Sequence, residues 1–360
     1  MQQNEQTVLK LAEELSNAKG ASGFEDEVLT VVRNHAQNFS EIQEDCVRNL
    51  YLKRKNNAGK RPVIMLDAHT DEVSFMVQAI KPNGTLRFIP LGGWPNNSIA
   101  AHRVLVRNAD GKYLPGITVS KPPHFMTEAE KKMESDISNM AIDIGAMSKE
   151  DAEQRFKIQI GEPVVPDVGF EYNEASKLMF GKAFDCRLGV ASVIGTMSAI
   201  AEETLDVDVV GALAAQEEVG TRGAKVTSQT VKPDIAIVFE GCPADDTFTE
   251  DYMIQTALNK GPMLRFIDRS MITNPRFQRF ALNLAKEKGI PVQTAVRTGG
   301  STNGAPIHLS NNGVPVIVIG IPVRYAHTHY GISSLSDCMN AIHLATEIVK
   351  TLNQDLIKTF

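Results

Sequence analysis

Residues 63–71 have the sequence VIMLDAHTD, which is the most informative segment for the fold. Here an apolar run ends in an imidazole and carboxylates, which are side chains that bind divalent metals. Short β-branched runs separated by helical stretches are typical of parallel strands that are buried on both faces. Because ligands in an open α/β sheet bind beyond the carboxyl ends of the strands, we expect the chemistry where such runs end. The pattern occurs three more times: residues 209–215 run into Gln216-Glu217-Glu218, residues 235–239 into Glu240, and residues 314–321 toward His327.

The composition of the chain limits the classes of protein to which it can belong. Its 360 residues exceed the roughly 250 to 300 at which a single core stops growing, so two domains are expected. The 42% apolar and 22% charged content is ordinary for a globular protein, and no apolar run reaches the ~18 residues of a membrane span. A net charge of −6 and the lack of basic runs interleaved with aromatic residues argue against a nucleic-acid partner.

Two further features concern the compartment. The polar start of the chain, residues 1–7, lacks the pattern of a secretory signal, so we expect a cytoplasmic protein without a membrane partner. The four cysteines show no C-x-x-C spacing and are too sparse to staple a fold of this size, which predicts free thiols.

The distribution of Pro and Gly along the sequence predicts a barrel inserted into an α/β domain. Residues 73–180 are cut repeatedly by Pro and Gly, as expected of short strands in a small β-barrel or sandwich. Ser148 and Asp151 stand at the spacing of a helix N-cap and its third residue. We therefore predict a catalytic domain from residues 1–72 and 180–360 and an inserted domain from residues 73–179. Helices are expected at 8–16, 25–39, 148–156, 188–201, 275–288 and 338–352.

Two pairs of residues stand out at the ends of the apolar runs. His69 and Asp71 suit a metal-bound imidazole that is oriented by a carboxylate, although a structural hydrogen bond explains the pair equally simply. Glu217 and Glu218 can both reach one cleft if the strand ends at Gln216, one as a metal ligand and one as a general base. The alternative is a solvated acidic pair in a loop. Retaining glycosidases need opposed carboxylates about 5 Å apart, which adjacent glutamates provide badly.

Three other residues complete the candidate set. Asp185 precedes a long helix, so an N-cap is the alternative to a metal ligand. Glu240 follows a strand directly, where a bare carboxylate is harder to explain structurally. Of His327 and His329, we favour His327 and take His329 as a bystander. We expect structural roles for the remaining histidines, which are His35, His102, His124, His308 and His343.

Together, two histidines and three carboxylates supply the nitrogen and oxygen ligands that suit two Zn²⁺, Co²⁺ or Mn²⁺ ions, and Glu217 remains free as a base. Two metals about 3.5 to 4 Å apart can activate a water and hold a substrate together, as in aminopeptidases. The count of candidate ligands is therefore more informative than any one of them.

The chain resembles, over essentially its whole length, the cocatalytic metallo-aminopeptidases that include the glutamyl and the tetrahedral aminopeptidases, metallopeptidase family forty-two. The resemblance rests on residues 67–73, 181–189 and 216–224, on Glu240 and on residues 324–327. It implies a mixed, mostly parallel sheet with helices on both faces, which is a phosphorylase/hydrolase-like aminopeptidase fold. It also implies that the inserted barrel is a small PDZ-like dimerisation domain, and that dimers of the tetrahedral members assemble into a hollow dodecamer that admits short peptides.

The same resemblance implies a role for each candidate residue. One ion is held by His69, Asp185 and Glu240, and the other by Asp185, Glu218 and His327, so that Asp185 bridges the pair. Glu217 is the general base that activates a water between the ions, and Asp71 orients His69.

The chain departs from the family pattern at a few positions. Cys186 stands where the family usually has a second Asp, and Asn303 replaces the Asp of a Thr-Asp segment, which removes a negative charge. Glu240 is one methylene longer than the Asp of many members. The residues after His327 also differ from those of several relatives, so side-chain selectivity does not transfer.

The predicted function is hydrolysis of the N-terminal residue from short peptides by a two-metal aminopeptidase. The competing enzyme class is a metal-dependent deacylase or carboxypeptidase, which needs a cationic clamp for a substrate carboxylate. The competing class outside enzymes is an assembly or peptide-binding protein that has lost turnover. The preferred amino-terminal residue, the native metal and the choice between dimer and dodecamer do not follow from the sequence.

Overall fold

The computed structural model describes residues 2–132 and 134–360 of the chain. The α-helices of this part are α1 Gln2–Asn17, α2 Asp26–Ala36, α3 Lys149–Gln154, α4 Phe184–Ala199, α5 Arg222–Val231, α6 Pro275–Lys288, α7 Gly304–His308, α8 Leu335–Thr351 and α9 Gln354–Ile357. Its strands are β1 Ser40–Glu44, β2 Leu50–Arg54, β3 Val63–His69, β4 Ser74–Ile80, β5 Leu86–Leu91, β6 Arg103–Arg107, β7 Tyr113–Val119, β8 Ala141–Asp143, β9 Pro163–Pro166, β10 Glu171–Asn173, β11 Leu178–Gly181, β12 Asp208–Ala214, β13 Ile235–Pro243, β14 Met263–Ile267, β15 Gln293–Val296, β16 Val316–Arg324 and β17 Gly331–Ser334.

The four apolar runs form the centre of a large mixed sheet, as predicted. They are the strands β12, β3, β13 and β16, which lie side by side in this order and are parallel. Nearly every residue of the four strands is buried. The outer strands pair antiparallel, β2 against β12 on one side and β17 and β14 against β16 on the other. Parallel pairing therefore joins the four central strands and also β14 to β15, and the remaining pairs of the sheet are antiparallel.

Helices cover both faces of this sheet, which confirms the predicted fold class. On one face, alternate residues such as Ile64 and Leu66 pack in a core with α1, α2, α4, α6 and α8. On the other face, Met65 packs with Ala224 of α5 and Ile307 of α7. This alternation follows from the two-residue period of a strand, whose successive side chains point to opposite faces. Both faces are apolar because both are covered.

The predicted helices are present with small changes at their ends. α1 and α2 are joined through the Gly-containing segment at residues 18–25, and α6 has the predicted bounds. Asn274 caps α6 by accepting hydrogen bonds from the N–H groups of Arg276 and Phe277. The Oγ of Ser148 accepts a hydrogen bond from the N–H of Asp151 at 3.1 Å, which is the predicted cap of α3.

The inserted segment forms a closed antiparallel barrel with strand order β4-β5-β8-β7-β6-β9. Its core is separate from those of the large sheet and includes Phe75, Phe88, Val104 and Ile142. β10 follows the barrel in sequence but pairs with β11 in the large sheet.

Two other predictions can be compared with the structure. All four cysteines are free, as their spacing predicts. Over residues 2–132 and 134–360, no helix combines the length and apolar character required to cross a membrane.

Candidate active site

The structure brings the candidate residues together at the carboxyl ends of the four central strands. His69 is the last residue of β3, and Glu240 lies near the end of β13. Glu217 and Glu218 follow the end of β12 in a turn that begins at Gln216, whose φ is +56°. His327 follows β16, and Asp185 lies at the start of α4. These positions come from five separate segments, so the cluster depends on the topology of the sheet.

Two groups of side chains share one carboxylate. The first contains His69, Asp185, Cys186 and Glu240, and the second contains Asp185, Glu218 and His327, with the potential ligand atoms of each group within 4.8 Å of one another. Asp185 Oδ1 lies 3.2 Å from His69 Nε2, whereas its Oδ2 lies 3.3 Å from His327 Nε2. Each oxygen of this carboxylate therefore faces a different group.

The donor set of these two groups fits a pair of divalent cations. Buried oxygens of Glu218 and Glu240 have no hydrogen-bond partner within the described chain. Burial, reinforced by the charge of Asp185, raises the pKa of Glu218 to about 8 and raises that of Glu240 well above the ordinary range. A cluster of buried carboxylates is costly unless positive charge compensates it. Divalent cations coordinated by these oxygens and by the two imidazoles would supply that charge.

Both imidazoles are held so that Nε2 points into the cleft. His69 Nδ1 donates to the carbonyl oxygen of Asp71 at 3.1 Å and lies 3.3 Å from Asp71 Oδ1. His327 Nδ1 donates to the carbonyl oxygen of Gly93 at 2.8 Å. A hydrogen bond at one ring nitrogen leaves the other free for a metal, which is the usual orientation of metal-binding histidines. Gly93 follows barrel strand β5, so the inserted segment contributes to this site.

Both glutamates of the predicted pair line one cleft of about 540 Å³. The side chains of Glu217 and Glu218 are only 11% and 3% exposed, so they are not a solvated loop pair. Glu217 belongs to neither ligand group, and burial raises its pKa to about 7. A carboxylate with these properties can accept a proton near neutral pH.

Asp71 holds the turn that carries the two glutamates. Its Oδ1 accepts a hydrogen bond from the N–H of Glu217 at 2.8 Å, and its Oδ2 accepts bonds from the N–H of Glu218 at 3.2 Å and from Ser22 Oγ at 2.6 Å. Burial alone would raise the pKa of Asp71, but the hydrogen bond and the charge of His69 lower it below the ordinary value. Asp71 therefore contacts both His69 and the glutamate turn.

The structure contradicts the N-cap alternative for Asp185. Its φ and ψ of −86° and 104° lie in the extended region that an N-cap can adopt, but the hydrogen-bond partners of its carboxylate are His69 and His327 and not the N–H groups of the first helical turn. The peptide bond between Asp185 and Cys186 is cis. The side chain of Asp185 turns to the two histidines instead.

Two of the departures from the family pattern, Cys186 and Asn303, are fully buried and do not line the cleft. The Cys186 thiol donates to the carbonyl oxygen of Phe239 at 3.2 Å, and burial raises the pKa of this thiol well above its ordinary value. The side chain of Asn303 interacts with the carboxyl group of Asp67, which is also fully buried.

The remaining histidines lie outside both ligand groups. His329, the expected bystander, is buried against the barrel, where its ring stacks on His102 with centroids 4.2 Å apart.

A buried ion triad next to the site was not found from the sequence. Glu72 accepts hydrogen bonds from Lys182 Nζ at 2.7 Å and from Arg187 Nη2 at 3.2 Å. Arg187 also donates to the carbonyl oxygens of Leu15 and Thr70. The triad thus joins the end of α1 to the segments that carry His69 and Asp185. No sequence signal pairs these residues, because each looks like an ordinary charged side chain near a strand end.

We expect the Lys182→Met variant to lose about 3 kcal/mol of unfolding free energy, because it removes one partner of a buried pair. Urea unfolding followed by circular dichroism measures the change. Lys288→Met is the matched control, since it removes a partly exposed ion pair with Glu347 and should change the unfolding free energy far less. Equal, small losses in the two variants would contradict the stabilising role of the triad.

Two histidine–carboxylate groups that share one carboxylate, with a separate glutamate beside them at the edge of a parallel sheet, are a donor set that suits a metal-dependent hydrolase. Comparison with known proteins identifies the kind of hydrolase. The family model described as M42 glutamyl aminopeptidase matches residues 49–344.

The chain belongs to the M42 glutamyl aminopeptidase family and is an aminopeptidase, a hydrolase that acts on peptide bonds. The glutamyl aminopeptidase of Lactococcus lactis subsp. cremoris is 31% identical over 346 residues, which cover 95% of this chain and 96% of that protein. The crystal structure of a TET aminopeptidase from a marine sediment archaeon of the Thaumarchaeota is similar with a TM-score of 0.94 at 36% identity, covering 98% of this chain and 99% of that one. The Pyrococcus horikoshii TET1 peptidase, which can assemble into a tetrahedron or a large octahedral shell, is similar with a TM-score of 0.85 at 25% identity, covering 96% and 100% of the two chains. The resemblance identified from the sequence is thereby confirmed.

Proposed function

We propose that this protein is a two-metal aminopeptidase that removes the N-terminal residue from short peptides, with Glu217 as the general base. The observation that carries the proposal is the carboxylate of Asp185, whose two oxygens face two different histidines at 3.2 and 3.3 Å. A free carboxylate, Glu217, lies beside this pair in the same cleft.

In this proposal, His69, Asp185 and Glu240 hold one ion, and Asp185, Glu218 and His327 hold the other. Nitrogen and oxygen donors of this kind suit Zn²⁺, Co²⁺ or Mn²⁺. When bound, such a pair of ions activates water and polarises the scissile carbonyl group as a Lewis acid. Asp71 and the carbonyl oxygen of Gly93 keep the Nε2 atoms of His69 and His327 directed into the cleft.

Glu217 moves the proton in the reaction. Its carboxylate accepts a proton from the attacking water and then donates it to the departing amine, as a general base followed by a general acid. A pKa near 7 suits both steps, since the group must gain and lose the proton at working pH. The hydrogen bond from the N–H of Glu217 to Asp71 keeps the backbone of this residue in place during the transfer.

The acidic cleft also favours a substrate with a free amino terminus. The carboxylate of Glu217, which is not a proposed metal ligand, lines the cleft and can attract a protonated amine. The deacylase or carboxypeptidase alternative needs a cation for a substrate carboxylate, and Arg265 is the one such side chain on the described cleft lining. Arg265 is only 5% exposed and is already paired with Asp268 at 2.9 Å. This pairing argues against the alternative.

We further propose that the protein is cytoplasmic and that the barrel strands β4–β9 within the predicted segment 73–179 form a dimerisation domain. The predicted catalytic domain at 1–72 and 180–360 then also includes β10, which pairs in the large sheet. Dimers would assemble into a tetrahedral dodecamer, a form supported by the assemblies of the Pyrococcus horikoshii TET1 peptidase. The size of the assembly can be measured by light scattering coupled to gel filtration.

Aminoacyl reporter substrates test the proposed function. We expect hydrolysis by the purified protein to fall to background after chelation and to return with Zn²⁺, Co²⁺ or Mn²⁺, because the ions are held by removable side-chain ligands. The same reporters with an acetylated amino group serve as the matched control and should not be cleaved. Cleavage of the blocked reporters would favour the deacylase, and no cleavage with any metal would favour a protein that has lost turnover.

A further inference from the structure

A buried carboxyl group of the loop between α1 and α2 contacts the turn that carries Glu217. Glu25 is fully buried, and its Oε1 accepts a hydrogen bond from the N–H of Gln216 at 3.2 Å and one from the N–H of Gly23 at 2.9 Å. Its Oε2 has no hydrogen-bond partner among the described residues. Gln216 and Glu25 are 191 positions apart in the sequence, so the contact joins two distant segments.

Three successive N–H groups of the turn end on carboxyl groups of other segments. The N–H of Gln216 donates to Glu25, and those of Glu217 and Glu218 donate to the two oxygens of Asp71. Ser22, from the same loop as Glu25, donates its hydroxyl to Asp71 Oδ2. The loop before α2 therefore supports the whole turn, directly through Glu25 and indirectly through Ser22.

The turn requires such support because of its backbone. Gln216 has a φ of +56°, in the left-handed region that residues other than glycine and asparagine adopt only at a cost. This conformation redirects the chain after β12 so that the next two side chains enter one cleft. A strained conformation persists only where surrounding contacts hold it, and this N–H donates its side-chain hydrogen bond to Glu25.

We propose that Glu25 is a positioning residue, whose acceptor oxygen fixes Gln216 and so sets the direction of Glu217 and Glu218. This inference rests on the proposed roles of those two glutamates. The proposal predicts that activity depends on the position of the acceptor oxygen of residue 25 and not on its negative charge.

The surroundings of Glu25 agree with an acceptor role. Burial and the charge of Asp71 raise the pKa of Glu25, and hydrogen bonds from the N–H groups of Gly23 and Gln216 partly oppose them, so that the pKa is about 7. A carboxyl group keeps an acceptor oxygen in either protonation state. An uncharged side chain of the same length can therefore replace it.

Three variants of the full-length, metal-loaded protein test the role. Glu25→Gln keeps the length and the acceptor but removes the charge, and we expect its kcat to stay within about threefold of the unmodified protein, since the amide oxygen accepts the same hydrogen bond as the carboxyl oxygen. Glu25→Asp keeps the charge but withdraws the carboxyl group by one methylene, about 1.5 Å. Glu25→Ala removes the acceptor. We expect kcat to fall about tenfold in Glu25→Asp and about 100-fold in Glu25→Ala, with KM nearly unchanged, because displaced catalytic groups act mainly on the chemical step.

Asp337→Ala is the matched control for loss of stability alone. Asp337 is also fully buried and accepts two backbone hydrogen bonds, from Asn259 and Gly261, but it does not line the cleft. The control should lower the melting temperature and leave kcat unchanged. If kcat fell in proportion to the melting temperature in the Glu25 variants and in Asp337→Ala alike, the proposal would be overturned. A Glu25→Asp variant more active than Glu25→Gln would also overturn it.

Hydrogen–deuterium exchange gives a readout that does not depend on activity. Amides of residues 216–218 should exchange about tenfold faster in Glu25→Asp and Glu25→Ala than in Glu25→Gln, because one hydrogen bond is lost. Equal exchange in all three variants would refute the proposal even if the protein were inactive. Conversely, the unmodified protein could prove inactive while the variants still show this exchange pattern. That result would refute the aminopeptidase function and leave the support of the turn by Glu25 established.

Discussion

The Asp185→Ala variant should bind neither metal ion tightly and should have no activity above background. Asp185 is the one residue common to both ligand groups, and its two oxygens face His69 and His327 at 3.2 and 3.3 Å. Its removal therefore takes a ligand from both sites and leaves Glu218 and Glu240 without the cations that compensate their charge. Other single-ligand variants remove a donor from one site only.

Metal analysis after dialysis, together with the aminoacyl reporter assay, measures this loss. Asp337→Ala serves again as the control, because it removes a buried carboxylate far from the ligand groups and should keep its metal. An Asp185→Ala variant that retains both ions would show that the shared carboxylate does not bridge them. Circular dichroism must show native helix content in both variants, so that loss of metal is not mistaken for unfolding.

The Glu217→Gln variant should keep its metal ions and lose activity by about 10² to 10⁴-fold, the usual contribution of a general base. Glutamine has the size of glutamate and cannot accept the proton at working pH. Glu217 belongs to neither ligand group, so metal content should remain that of the unmodified protein. The loss should be in kcat, since the base acts in the chemical step.

Steady-state kinetics and metal analysis of the same preparation measure both quantities. Glu218→Gln is the informative comparison, since the neighbouring glutamate is a proposed ligand and its variant should lose metal as well as activity. If Glu217→Gln retained near-normal kcat, the base would have to be another group. If it lost its metal, Glu217 would have to be a ligand.

Much of the fold and of the site could be predicted from local sequence. The four apolar runs become adjacent parallel strands, and the residues that follow them meet at one edge of the sheet. The reason is physical: strands buried on both faces must be apolar throughout, and parallel neighbours bring their carboxyl ends to the same side. The cap of α3 at Ser148 follows from the preference of a hydroxyl for the free N–H groups of a first turn.

Other features stayed open in the sequence because local signals have more than one structural meaning. An Asp before a long helix suits either an N-cap or a metal ligand, and only the structure shows that the carboxylate of Asp185 faces two histidines. The sequence pattern of the buried parallel strands does not predict the antiparallel strands beside them. These strands, β2, β14 and β17, are short and have ordinary composition. Burial and pairing of these segments depend on residues far away in the chain.

Periodicity and side-chain type predict the central strands, the helices on one face of the sheet and the chemical groups at the strand ends, whereas α5 and α7 on the other face were not predicted. How the chemical groups are held depends on contacts that form only in the folded protein. His327 is oriented by Gly93, which is 234 positions away, and the glutamate turn is held by Glu25 from 191 positions away. Such contacts carry no local signal, because a backbone carbonyl or a single buried carboxyl acquires its partner only when the sheet, the barrel and the first two helices pack together.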